Sequence, residues 1–193
     1  MPYVRTWSEE LLTEWYALRN YLVKTNVPVR VSVTRKGGRY EIDLIAINYE
    51  RREADVVEVK VGVPKLMDLI SSLSTKINIF RESDIAKQLK SQGIRMKYKL
   101  IFLYAPSIES RRRIIDEIKS RTSVVVEVLE LSELLPSIIA DIKSWRRESR
   151  RVLKSKKGSM IPESLYLLKL LEYVIDVRGR VKESIIESLS FSW

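Results

Sequence analysis

Near the N-terminus, Trp7, Leu11, Trp15, Leu18 and Leu22 recur at helical spacing on one face. With Ser8 as a good N-cap, this stripe predicts a core-facing helix from Ser8 to about Lys24. The period then changes. Val29, Val31 and Val33 alternate with Arg30, Ser32 and Thr34, which predicts a half-exposed strand over Val27 to Arg35. Lys36-Gly37-Gly38-Arg39 reads as a hairpin turn. Tyr40 to Asn48 reads as a strand apolar on both faces, broken by Glu41 and Asp43. After a polar turn over Tyr49 to Ala54, a buried strand is predicted for Asp55 to Val61, interrupted by Glu58 and Lys60. A helical region follows from Lys65 to about Gln92, bent near Arg81 to Ser83 and ended by Gly93. Lys97 to Tyr104 is a fourth strand, Ser107 to about Arg121 a helix, Val124 to Leu129 a fifth strand, and Ser132 opens another helix. The order α-β-β-β-α-β-α-β-α predicts the α/β class with a mixed sheet. Beyond Lys143 the pattern is helical, with a helix from Pro162 to about Val177 and a last one over Val181 to Leu189. The expected organisation is one domain over residues 1–142 and a helical extension over 143–193.

Composition narrows the chemistry. The chain of 193 residues contains no cysteine and no histidine. Disulfides, thiol nucleophiles, imidazole acid–base work and metal sites built on sulfur or imidazole are therefore excluded. Any catalysis must run on carboxylates, lysine, hydroxyls or a metal held by oxygen. The net charge of +10 is unevenly spread: +5 falls in residues 61–104 and +7 in residues 143–160. Concentrated positive charge suits a polyanion such as DNA or RNA, because each phosphate contact releases counterions. No stretch is long and apolar enough for a transmembrane helix, and the N-terminus lacks the apolar run of a signal peptide, so a cytoplasmic protein without membrane contact is expected. Two Gln and four Asn against abundant Arg, Lys, Glu and Ile follow a pattern common in thermophile proteins.

Three ionisable residues interrupt strands that otherwise read as buried: Asp43, Glu58 and Lys60. Burying a charge costs several kcal/mol unless it is paired or binds a metal. Glu58 and Lys60 are two residues apart in a strand and so share a face. A hairpin about the Tyr49 to Ala54 turn would set Asp43 across from Glu58. A structural ion pair explains Glu58 with Lys60, but Asp43 is a third charge that needs a third partner. Two adjacent carboxylates repel, and a divalent cation resolves the repulsion better than one lysine. Hard oxygen ligands favour magnesium or manganese over zinc.

The segment GGRYEIDLIAI at Gly37 to Ile47, followed by VVEVK at Val56 to Lys60, resembles the PD-(D/E)XK nuclease superfamily, which includes restriction endonucleases and archaeal Holliday-junction resolvases. Asp43 matches the family's Asp, Glu58 its acidic residue and Lys60 its lysine, with Ile42 in place of the proline. The resemblance covers about residues 7–105. It implies a restriction endonuclease-like αβββαβ core with a mixed central sheet flanked by helices. It also implies Mg2+ or Mn2+ held by Asp43, Glu58 and the Val59 carbonyl, with Lys60 positioning the attacking water. A helical Glu completes the family's site. Glu14 borders the core stripe of the first helix, Glu10 lies one step further round and Glu9 points nearly opposite, so Glu14 is preferred, then Glu10.

The expected activity is metal-dependent endonuclease cleavage of DNA in repair, recombination or restriction. A nucleic-acid-binding protein that no longer cuts and a ribonuclease acting on structured RNA are the alternatives. Arg35, Lys36 and Arg39 flank the glycine turn and are candidate contacts to the phosphate backbone. Arg146, Arg147, Arg150 and Arg151 around Trp145 form a second candidate, because an aromatic among basic residues can grip nucleic acid. Ser71, Ser72, Ser74 and Thr75 form a polar patch on the helix after Lys60. Relatives of this kind often act as homodimers so that both strands are cut, and the helical tail is a candidate for that contact.

Overall fold

The computed structural model describes residues 6–29, 40–62, 65–153, 161–162 and 164–178. The chain divides into two compact units, residues 1–135 and 136–193. In the first unit the described elements are α1 (Trp7–Leu18), β1 (Leu22–Val29), β2 (Tyr40–Asn48), β3 (Glu53–Lys60), α2 (Leu66–Glu82), α3 (Asp84–Ser91), β4 (Arg95–Phe102), α4 (Ile108–Thr122) and β5 (Val126–Glu130). The five strands form one mixed sheet in the order β1-β2-β3-β4-β5. β1, β2 and β3 run antiparallel to one another, and β3, β4 and β5 run parallel. The α/β class and the mixed sheet flanked by helices are as expected from the hydrophobic pattern.

Local chemistry sets the boundaries. The first helix is capped two residues earlier than Ser8 predicts, because Thr6 and Glu9 form a capping box: the Glu9 N–H donates to Thr6 Oγ1 and the Thr6 N–H donates to Glu9 Oε2. The helix also ends early, at Leu18. Asn20 takes a left-handed φ of 62°, turning the chain so that Leu22 to Lys24 enter β1 instead of a last helical turn. Leu22 and Trp7, the two ends of the predicted stripe, are consequently exposed, while Leu11, Trp15 and Leu18 are buried. The bend expected near Ser83 is a shared cap. Ser83 ends α2 and starts α3, its Oγ accepting the Ala86 N–H at 3.3 Å. β3 begins at Glu53, so the hairpin turn is shorter than predicted and Glu53 and Ala54 join the strand.

Alternation along β3 assigns the two faces of the sheet. Val56 faces a core built with Leu69, Ile70, Leu73, Ile77 and Phe80 of α2 and Ile114 and Ile118 of α4. Asp55 faces the other way, where Tyr16 of α1 hydrogen-bonds to it. Charged residues of one strand therefore reach both faces of the sheet.

The second unit contains most of α5 (Leu131–Leu153) and α6 (Tyr166–Arg178). Its boundary falls at Pro136 inside α5, where the missing N–H interrupts the helical ladder, seven residues before the Lys143 boundary expected from charge. The predicted helix over Val181 to Leu189 and the hairpin turn over Lys36 to Arg39 lie outside the described residues. Among the described residues no helix is long and apolar enough to cross a membrane.

Candidate active site

The antiparallel ladder between β2 and β3 pairs Leu44 with Val57, and one further step in that register sets Asp43 beside Glu58. Leu44 is the last β2 residue paired with β3, although β2 continues along β1 to Tyr40. Where the strands part, a side chain takes over: the Val59 N–H donates to Asp43 Oδ2 at 2.8 Å. A buried N–H must find an acceptor, and here it draws a carboxylate to the fork between two strands.

Lys60 lies between the two acids. Its Nζ is 3.0 Å from Glu58 Oε2 and 3.5 Å from Asp43 Oδ2. Glu58 also receives Lys76 from α2, which donates to Oε1 at 2.9 Å and to Oε2 at 2.7 Å. The cluster thus holds two carboxylates and two ammonium groups. Burial pushes the Glu58 carboxyl above its ordinary value and the Asp43 charge pushes the same way, against the pull of Lys60 and Lys76. Burial presses the Lys60 ammonium down, but Glu58 and Asp43 outweigh it and hold its pKa above the ordinary lysine value. Lys60 therefore carries its charge in this arrangement.

The structure brings Asp43, Glu58 and Lys60 together as the strand spacing predicts, and Val59 joins them through its backbone. Glu14 is buried on α1 and Glu10 is half-buried in its first turn. Among the described residues, no third acidic side chain comes close enough to Asp43 and Glu58 for three to share a metal ion. Neither helical Glu therefore completes a three-carboxylate ligand set. Arg35, Lys36 and Arg39 lie outside the described residues, as do the side chains of Arg150 and Arg151. Arg147 is exposed on α5 and Arg146 is half-buried. Ser74 is buried, which leaves Ser71, Ser72 and the half-buried Thr75 as the accessible part of the polar patch.

Sequence reasoning missed Lys76. It sits among Leu69, Leu73 and Phe80 on the core-facing stripe of α2, at positions i, i+4, i+7 and i+11. A lysine interrupting a helix stripe is the same kind of signal as Asp43 interrupting a strand. It also missed a second ionic cluster on the opposite face of β3. Asp55 pairs with Lys99 at 2.8 Å and accepts the Tyr16 hydroxyl at 2.8 Å. Glu53 pairs with Lys97 at 2.7 Å and accepts the Tyr21 hydroxyl. The Lys97 and Tyr21 hydrogen bonds pull the Glu53 carboxyl down to about 2. Burial, reinforced by the hydrogen bond to Glu53, lifts the Tyr21 hydroxyl to about 12. Burial and the neighbouring Asp55 raise Tyr16 well above the ordinary tyrosine range. Three of the eight basic residues in the +5 stretch, Lys76, Lys97 and Lys99, thus serve as counter-ions to carboxylates of β3.

Compared with known proteins, the chain matches no family model, no curated protein and no solved structure.

Proposed function

We propose that this protein is a magnesium- or manganese-dependent endonuclease that hydrolyses phosphodiester bonds in DNA, on a restriction endonuclease-like core. The observation that carries the reading is the single ammonium of Lys60 within reach of both Asp43 and Glu58. Two carboxylates that one ammonium reaches are close enough to share a divalent ion beside it. Magnesium is commonly held by one or two carboxylates, with water and substrate phosphate filling the remaining positions, so a third acid is not required. Asp43 and Glu58 would hold the metal, with the Val59 carbonyl as the resemblance implies. When bound, such an ion polarises a phosphoryl oxygen and lowers the pKa of a coordinated water. Lys60 keeps its charge between the two acids, where it orients water and offsets negative charge developing on the phosphate. Asp43 is fixed by the Val59 N–H, which limits the ways the carboxylate can turn.

The deciding experiment is cleavage of branched, single-stranded and duplex DNA with Mg2+, comparing the wild type with Asp43→Ala and Lys60→Ala. Loss of cleavage in both variants supports the reading, whereas equal cleavage by all three proteins ends it. A second reading, a nucleic-acid-binding protein on the same core that does not cut, draws on Glu58 having both oxygens engaged by Lys76 and one of them also by Lys60. Tight, salt-sensitive DNA binding without metal-dependent cleavage would favour it.

A further inference from the structure

We propose that Lys76 is a built-in competitor of the metal: its ammonium holds Glu58 until a divalent cation displaces it, and it then supplies positive charge to the phosphate. This inference rests on the endonuclease reading of the same site and names a residue outside the Asp43, Glu58 and Lys60 set.

Three observations point this way. Lys76 spans both oxygens of Glu58, at 2.9 and 2.7 Å, so a cation approaching that carboxylate meets an ammonium already in place. Lys60 pairs with Glu58 independently at 3.0 Å, so the carboxylate keeps a neutralising partner after Lys76 leaves. The cluster is also balanced as it stands, with Asp43 and Glu58 against Lys60 and Lys76. A divalent ion would leave it with two surplus positive charges, and repulsion at such short range favours moving the ammonium that neutralises fewer acids. Lys76 is that group: among the described residues Glu58 is its one partner, whereas Lys60 reaches two acids. The surplus equals the two negative charges of the pentavalent phosphorane formed when hydroxide, the attacking water having given its proton to solvent, adds to a phosphodiester. A released Lys76 therefore completes the charge balance at the transition state, where stabilisation accelerates the reaction.

The full chain tests this by two measurements. Mn2+ binding without DNA is followed by the loss of the free-ion electron paramagnetic resonance signal, and single-turnover cleavage is measured at saturating Mg2+. Lys76→Met is expected to bind Mn2+ about tenfold more tightly or better, and to cleave about a hundredfold more slowly. Lys76→Arg, which keeps the charge, should return both values toward wild type. Lys76→Gln, which keeps a hydrogen-bond donor without the charge, serves as the second variant if the methionine protein does not fold. An unchanged or weakened Mn2+ affinity in the uncharged variants overturns the competition. Tighter Mn2+ binding with unimpaired cleavage overturns the phosphate role. If the wild type cuts no DNA while Lys76→Met still binds Mn2+ more tightly, the competition stands and the endonuclease reading falls.

Discussion

β3 carries two ionic clusters back to back. Toward α2 it presents Glu58 and Lys60, met by Asp43 and Lys76; toward α1 it presents Glu53 and Asp55, met by Tyr21, Lys97, Tyr16 and Lys99. Both clusters bury carboxylates and neutralise them with lysine, yet they differ in one respect. On the α1 side each of the two acids has its own close lysine and its own tyrosine hydroxyl, although Asp55 Oδ1 is left without a hydrogen-bond partner. On the α2 side two acids share one lysine and one acid takes two, at the point where β2 and β3 part. Burial of charge is therefore common to both faces, and the shared, crowded arrangement is what distinguishes the candidate site.

The same substitution on each face should break the comparison most sharply. Asp43→Asn removes a like charge beside Glu58, and its amide oxygen can still accept the Val59 N–H. Cleavage should fall by about 10²–10³-fold while unfolding stability shifts by less than about 1 kcal/mol. Asp55→Asn strips Lys99 of its close partner in a buried setting and should cost about 3 kcal/mol by urea denaturation. The folded fraction of Asp55→Asn should cut at the wild-type rate. Loss of cleavage in a fully folded Asp55→Asn protein would dissolve the distinction between the faces. Next in size, Tyr16→Phe leaves the Asp55–Lys99 pair in place but removes one buried hydrogen bond, and should destabilise by about 1 kcal/mol.

Acid separates the two faces by sign. Glu53 titrates near 2 in the folded chain against an ordinary value of 4.5, so its contribution to stability is full above about pH 4.5 and is lost as pH falls toward 2. Glu58 is shifted upward, so its contribution is full below the ordinary value of 4.5 and is lost as pH rises through its folded value. Urea midpoints measured between pH 5 and 2 should fall less steeply in Glu53→Gln than in the wild type. An identical slope would show that the Lys97 and Tyr21 bonds do not act on Glu53 in solution. The smallest effect belongs to Arg51, which is exposed and 4.0 Å from Glu53. Arg51→Ala should change stability by no more than about 0.5 kcal/mol.

Much of this was legible in the sequence because period and punctuation are local. The strands β2 and β3, the bend near Ser83 and the helix start at Ser107 appear in the structure where the pattern places them, and Asp43 meets Glu58 as a hairpin requires. The failures share a cause. Asn20 and the Thr6–Glu9 box act on single backbone positions that a hydrophobic stripe does not register, so the stripe predicts an α1 that is too long and starts two residues late. The partners of Glu58, Asp55 and Glu53 come from separate elements, α2 and β4, and only packing reveals which lysine meets which acid. Charge counted along the chain suggested a nucleic-acid surface over residues 61–104. Counted in space, part of that charge is turned inward.

The bond from Val59 to Asp43 has a consequence for measurement. An amide that relies on a side-chain carboxylate for its acceptor is less secure than one closed by a neighbouring carbonyl. Whatever draws Asp43 away also uncovers that proton, so the hydrogen-exchange rate of the Val59 amide reports on whether Asp43 holds its place at the fork between β2 and β3. The sheet carries its own sensor there, readable without substrate or turnover.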